Sequence, residues 1–314
     1  MSEPSALPSL DEQRRALREG ALVQREEHLG TLVITGSERQ SWLNGILTCN
    51  LEPLRVGSGA YGISAAKNGK IQAEVWVVLG AERILLAVQR DRLSLLQEMF
   101  ERYLVMEDVE VVDGSAEFGW VFAVGPKAGA LLEAGRTAGA EGARADWTGL
   151  GGAVFGAPVE KLEAVEGALL GQEGAARGSA ASWEVLRVEN NVGRFGVDFD
   201  EQNYPQEASL EDLAVSFNKG CYLGQEAVYM LQHRGHAKKR LVQIEVQGEG
   251  ELPKGTALTL PDGTAVGTVT SHVPNPNGGG VLALGYLKFK QARKGVEVRV
   301  AGRTATVVAA RGGS

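Results

Sequence analysis

Apolar and polar positions along the chain change their rhythm once, near residue 240. Before that point, short apolar runs alternate with stretches near helical spacing; beyond it, a period of two takes over. Asp11 to Gly20 reads as a short polar helix, and Leu32-Val33-Ile34 as a strand ending at Gly36. Ser37-Glu38-Arg39-Gln40 then has the form of a capping box for a helix carrying Trp42, Leu43, Ile46 and Leu47 on one side. Ile71–Leu79 and Ile84–Val88 read as strands around a turn at Gly80. Asp91 opens a helix with Leu93, Leu96, Phe100 and Tyr103, and Val109–Val112 forms a further strand.

A second cycle follows. Trp120–Val124 is a strand, Pro126 to about Leu132 a helix, Ala153–Phe155 a strand and Pro158–Leu170 a helix. Both prolines fall where a helix's first turn tolerates them. Two strand–strand–helix cycles predict α+β units of the ferredoxin-like kind. Gly171–Ala181, rich in glycine, alanine and serine, predicts a flexible loop, after which Ser182 caps a helix holding Trp183, Leu186 and Val188. Asn191–Tyr204 is irregular. From Leu241 onward Val242, Ile244 and Val246 alternate with polar residues, and Gly255, Asp262-Gly263, Gly267, Gly285 and Gly302 punctuate short strands. That spacing predicts a small β-barrel. Gly278-Gly279-Gly280 reads as a hairpin loop, because no strand–turn–helix context makes it a dinucleotide fingerprint.

Composition narrows the class. The chain has 314 residues, 44% hydrophobic and 23% charged, as in ordinary globular proteins, and that length suits two or three modules. A net charge of −7 argues against whole-surface attraction to nucleic acid or anionic membrane. No apolar run has the length of a membrane span, and the N-terminal stretch lacks the apolar core of a signal peptide. With only Cys49 and Cys221, the chain has no disulfide framework, which points to a reducing, cytoplasmic setting. Two thiols also cannot hold an iron–sulfur cluster or cysteine zinc site alone, so cluster chemistry would need a partner. Cys49 reads as a small buried filler. His233 and His236 have a spacing that can hold a metal on a helix, but no carboxylate matches it and no metal site is expected.

One stretch answers to no packing pattern: Lys219-Gly220-Cys221-Tyr222-Leu223-Gly224-Gln225-Glu226, followed by Ala227, Val228, Met230 and Leu231 at helical spacing. A glycine-entered helix after a thiol, with a lysine two positions away, is an arrangement that can make a cysteine acidic. Arg234 and the run Lys238-Lys239-Arg240 suit an anionic tail or an RNA phosphate.

Lys219 through Glu226 resembles the K-G-C-[FY]-x-G-Q-E signature of the YgfZ family of folate-binding proteins, relatives of the glycine cleavage T-protein (aminomethyltransferase). Val215-Ser216-Phe217 before it, and Arg234-Gly235 and Lys239-Arg240-Leu241 after it, extend the likeness. The resemblance implies a three-module, T-protein-like α+β architecture. Residues 1–237 would hold two interleaved folate-binding modules, one discontinuous (roughly 1–55 with 115–237) and one roughly 56–114; residues 238–314 would form the barrel. It implies tetrahydrofolate as cofactor, with Cys221 and Lys219 as the reactive centre, shaped by Gly220, Tyr222, Gly224, Gln225 and Glu226. Glu207, in Tyr204-Pro205-Gln206-Glu207, would recognise the pterin, Trp183 would stack on a folate ring, and Arg234 would meet the tail.

The implied role is support of iron–sulfur cluster assembly or repair, with effects on tRNA modification. It would act on iron–sulfur proteins or their assembly factors in trans, as a monomer, with an indirect link to RNA favoured over a direct contact. The alternative is a folate-dependent aminomethyl or methyl transferase; a third is a folate-regulated scaffold. Two departures separate the chain from the T-protein. The T-protein's strand Asp-Asp pair falls on Ala73-Glu74, and its sequence lacks the signature cysteine. The tryptophan the family often carries before its first strand is replaced by His28-Leu29-Gly30.

Overall fold

The computed structural model describes residues 7–311; residues 1–6, at the head of the stretch read for a leader, and 312–314 lie outside the described residues. The chain divides into two compact units. One comprises Met1–Ala65, Gln72–Ser182 and Asn218–Leu223, the other Ala66–Ile71, Trp183–Phe217 and Gly224–Ser314.

The first unit contains two five-stranded sheets. The first sheet runs Gly59–Ala65, Ile71–Leu79, Ile84–Gln89, Leu29–Thr35, Glu110–Asp113. Strand Ile71–Leu79 is buried on both faces, which accounts for its nearly continuous apolar run. Ala73, Val75, Val77 and Leu79 pack with Trp42 and Leu43 of helix Arg39–Asn44 and with Leu96 and Phe100 of helix Leu93–Glu101. On the opposite face Trp76 meets Tyr61, Phe122 and Trp147 at ring-centre distances of 5.5, 5.3 and 6.0 Å. Such rings each contribute about 1.5–3 kcal/mol on burial, so this aromatic layer anchors the unit.

The second sheet runs Ala175–Arg177, Ala21–Arg25, Phe118–Val124, Gly152–Pro158, Glu141–Arg144. Helix Leu162–Leu170 covers it with Val165 and Leu169 against Val121, Ala123 and Phe155.

Several local expectations are corrected by longer-range contacts. Ser37 makes no capping box: its N–H and Oγ both donate to Asp108 Oδ2, at 3.0 and 2.7 Å, while Glu38 Oε2 accepts from the Asp108 N–H. That helix stops at Asn44, so Ile46 and Leu47 lie beyond it. Gly171–Ala181 is not simply a loop, because Ala175–Arg177 pairs in parallel with Ala21–Val23. The following helix is Ala180–Glu189, and Ser179, not Ser182, supplies the cap: its Oγ accepts the Ser182 N–H at 3.1 Å. Pro158 ends a strand and precedes a short 3-10 turn, with the helix beginning at Leu162. Pro126 likewise precedes a 3-10 turn, Ala128–Leu131, that leads into helix Leu132–Thr137.

In the second unit, Lys239–Gln247, Gly280–Lys288, Ala265–Pro274, Ala257–Thr259, Glu297–Val300 and Arg303–Ala310 close into the expected barrel. Closure leaves no strand edge unpaired. Val242, Ile244 and Val246 fill its interior with Leu258, Val298 and Val307. The outward residues Leu241, Leu284 and Tyr286 pack instead against Val185 and Val188 of helix Ala180–Glu189. Gln243 Nε2 donates to the carbonyls of Val188 and Glu189 at 2.6 and 3.0 Å, satisfying acceptors that the helix end leaves open.

Candidate functional site

The signature begins in the first unit, on a loop held by one ammonium. Helix Arg39–Asn44 ends in a tight turn, and a helix end leaves carbonyls without intrahelical donors. Lys219 Nζ collects three carbonyls there, donating to Asn44 O at 2.6 Å, Leu47 O at 2.9 Å and Cys49 O at 2.6 Å. Three donors meeting three acceptors match the ammonium's valence, and a cation beyond a helix C-terminus is favoured electrostatically. Burial pulls this ammonium down to about 8, opposed by the neighbouring Cys49 and Glu52. Leu223 N–H adds a bond to Gly45 O at 3.1 Å. Lys219 therefore has a different task from the expected one: its donors face backbone oxygens and tether the loop, instead of serving the thiol.

Around the tether the two cysteines part company. Cys49 is buried, as expected, and burial pushes its thiol up to about 12. Cys221 is exposed, and Gly220 before it stands in open space. Tyr222 turns inward: it is buried, its ring lies 5.4 Å from Lys219 Nζ, and its hydroxyl has no partner among the described residues. Burial raises that phenol to about 12. The loop thus presents one thiol to solvent between an inward lysine and an inward tyrosine.

Glu74, set by sequence against the T-protein acid pair, is also in this unit and is buried. Its Oε1 accepts from Tyr61 Oη at 2.6 Å and its Oε2 from Gln89 Nε2 at 3.3 Å.

The remaining signature residues and the expected folate residues lie in the second unit. Gly224 takes φ +80° and opens helix Gln225–His233. Gln225 is half-buried, while Glu226 and Arg234 are exposed at the two ends of that helix. The turn carrying Glu207 docks on the same helix, because Gln206 Nε2 donates to Val228 O at 2.8 Å. Glu207 is buried, not a solvated loop acid. Its Oε2 accepts from Asn203 Nδ2 and from Tyr204 N–H, both at 3.3 Å, and no donor among the described residues reaches Oε1. Its carbonyl accepts from Leu241 N–H at 2.8 Å, fixing the turn to the barrel. Trp183 is half-buried on the helix whose Val185 and Val188 cover the barrel's outer face.

The basic run is mostly spoken for. Arg240 is buried in an ion pair with Glu211, and Lys239 Nζ sits 4.2 Å over the Tyr286 ring, leaving Lys238 and Arg234 as its exposed cations.

Sequence reasoning missed a buried polar cluster beside these residues. Arg187, 2% exposed, bonds Asp198 Oδ2 at 2.7 Å, Glu184 Oε2 at 2.9 Å and Ser271 Oγ at 3.0 Å. Asp198 Oδ1 also accepts from Thr270 and Ser271, so the carboxylate is fully satisfied. The signal was a charge four residues after Trp183, on the apolar side of its helix.

Comparison with known proteins adds the following. Residues 3–150 match the GCVT N-terminal domain, and residues 239–311 match the glycine cleavage T-protein C-terminal barrel domain. The signature lies between the two matched segments. An aminomethyltransferase of Herpetosiphon aurantiacus is 27% identical over 307 residues, covering 92% of this chain and 84% of its own length. A putative chloroplastic transferase of Arabidopsis thaliana is 28% identical over 323 residues, covering 96% and 73%. Among solved structures, the crystal structure of glycine cleavage system aminomethyltransferase T from Bartonella henselae is similar with a TM-score of 0.78. It is 21% identical, with 96% of this chain and 88% of that one covered.

Proposed function

The chain carries GcvT-family domains at its N- and C-terminal ends, and from that premise we propose that it is a tetrahydrofolate-binding protein whose chemistry runs through Cys221. Its role would be the assembly or repair of iron–sulfur enzymes in a reducing, cytoplasmic setting. The observation that carries this reading is the contrast between two candidate reacting groups. Cys221 is exposed on a loop anchored by Lys219, whereas Glu74, set by sequence against the T-protein acid pair, is buried and already hydrogen-bonded to Tyr61 and Gln89. A base must reach the proton it takes, and a carboxylate occupied on both oxygens is poorly placed to do so.

The donor set fits a pteridine. Glu207 keeps Oε1 without a donor among the described residues while its turn is fixed at Gln206 and by its own carbonyl, and that oxygen would accept from the 2-amino-pteridine edge. Trp183 would offer an indole face to the ring system, and Arg234 an exposed cation for the glutamate tail. Bound tetrahydrofolate would supply the one-carbon carrier. Cys221 would supply a single thiolate ligand to a partner's cluster, because Cys49 is buried and the chain has no third cysteine.

A second reading, folate-dependent aminomethyl transfer, is favoured by the relatives' names, since several proteins that align over most of the chain are called aminomethyltransferases. The two readings separate in one assay set. With tetrahydrofolate and an aminomethyl donor or formaldehyde, the thiol reading expects binding without catalysed methylene transfer. It also expects Cys221→Ala to lose the capacity to restore an iron–sulfur enzyme. Turnover that collapses in Glu74→Gln and survives in Cys221→Ala would establish the second reading and overturn the first.

A further inference from the structure

Tyr286 is buried on strand Gly280–Lys288, 7% exposed, yet its hydroxyl has no partner among the described residues. Native proteins rarely leave a buried hydroxyl unsatisfied, so such a group invites a ligand. The side chain points outward from the barrel into the cluster of Val188, Leu241, Val273 and Leu284. Its ladder partner is Leu241, and Leu241 N–H donates to Glu207 O, not to the ladder. Ser209 Oγ donates to Leu241 O at 2.9 Å and pins the same turn from the other side. One backbone link and one side-chain link to Leu241 therefore place the Glu207 turn beside Tyr286.

The charges around this phenol are carboxylates. Burial acts first to keep it protonated, and Glu207, Asp198 and Asp200 add to that in falling order. Asp198 cannot take its proton, because both oxygens already accept from Arg187, Arg194 N–H, Thr270 and Ser271. Lys239, over the ring face, makes no contact with the hydroxyl that would satisfy it. This side of the barrel thus offers an acceptor, Glu207 Oε1, and a donor, the Tyr286 hydroxyl, neither with a protein partner among the described residues.

We infer that Tyr286 is a specificity-determining residue of the folate site, donating its hydroxyl proton to the 4-oxo oxygen of a pteridine whose 2-amino and N3–H groups are accepted by Glu207. The donor side of a 4-oxopteridine edge meets the Glu207 carboxylate and its 4-oxo acceptor meets the phenol, whereas a 2,4-diaminopteridine places an amine where the oxygen should be. This inference rests on the folate reading, and the test separates the two.

Calorimetric titrations would compare wild type and Tyr286→Phe, each against tetrahydrofolate and against its 4-amino counterpart. The expected result is a wild-type preference for the 4-oxo ligand that Tyr286→Phe loses, with tetrahydrofolate weakened about tenfold. The melting temperature of Tyr286→Phe should not fall, because only an unpaired hydroxyl is removed. Equal tetrahydrofolate affinity in the two proteins, with the 4-oxo preference intact, would overturn the role of Tyr286 and leave the folate reading standing. Failure of wild type to bind either ligand would overturn both.

Discussion

Lys219→Met is expected to lower the free energy of unfolding by about 3 kcal/mol, from the loss of three charge-assisted hydrogen bonds partly exposed to water. The ammonium reaches three carbonyls within 2.9 Å, and methionine fills similar volume while donating nothing. Each abandoned carbonyl would have to be met by water entering a partly buried turn, at roughly 1–3 kcal/mol where water cannot reach. Lys219→Arg should fail to rescue fully, because a planar fork cannot aim three donors at three oxygens arranged around one point. Urea unfolding checks both, and a Lys219→Met midpoint equal to wild type would show that the cage contributes nothing. In the folded variant Cys221 should also be alkylated at a different rate, since the loop that presents it would have lost its anchor.

The second large effect separates two glycines of the signature. Gly224→Ala is expected to cost about 3 kcal/mol or more, combining left-handed strain of about 1–2 kcal/mol with a backbone collision. A Cβ there would stand 2.3 Å from Ala66 O and 3.1 Å from Gly69 Cα, both main-chain atoms of one hairpin tip. Neither can swing away as a side chain does, so the helix start or the tip must move. Gly220→Ala meets nothing within 4 Å and needs no positive φ, so its change should stay within about 0.5 kcal/mol. Equilibrium denaturation of the two variants side by side tests the contrast; similar losses at both positions would contradict it.

These residues also mark what was legible in the sequence. The strands of the first sheet and the barrel were readable because apolar periodicity records burial locally: Val242, Ile244 and Val246 point inward as their spacing requires. The signature itself was readable as chemistry because its composition has no packing rationale. Lys219's role was not, because its partners are backbone carbonyls about 170 positions away, and a carbonyl leaves no mark in a sequence. Ser37 looked like a cap for the same reason in reverse, since its hydroxyl could choose Asp108 over the local helix only once the fold had formed. Ala175–Arg177 is a three-residue strand made by its parallel partner, without a pattern of its own. Glu207 was located by its motif, but its burial and its links to Asn203 and Leu241 emerged only from the fold.

Folate binding as proposed requires a pteridine held through Glu207. Isothermal titration of the full chain with tetrahydrofolate, wild type beside Glu207→Gln, tests this directly. The substituted amide keeps the side chain's shape and an acceptor for Tyr204 N–H but gives up one of two accepting oxygens. Saturable binding by wild type, weakened at least tenfold in Glu207→Gln, is the predicted result. Absence of binding by wild type, or equal affinity in both proteins, would contradict it.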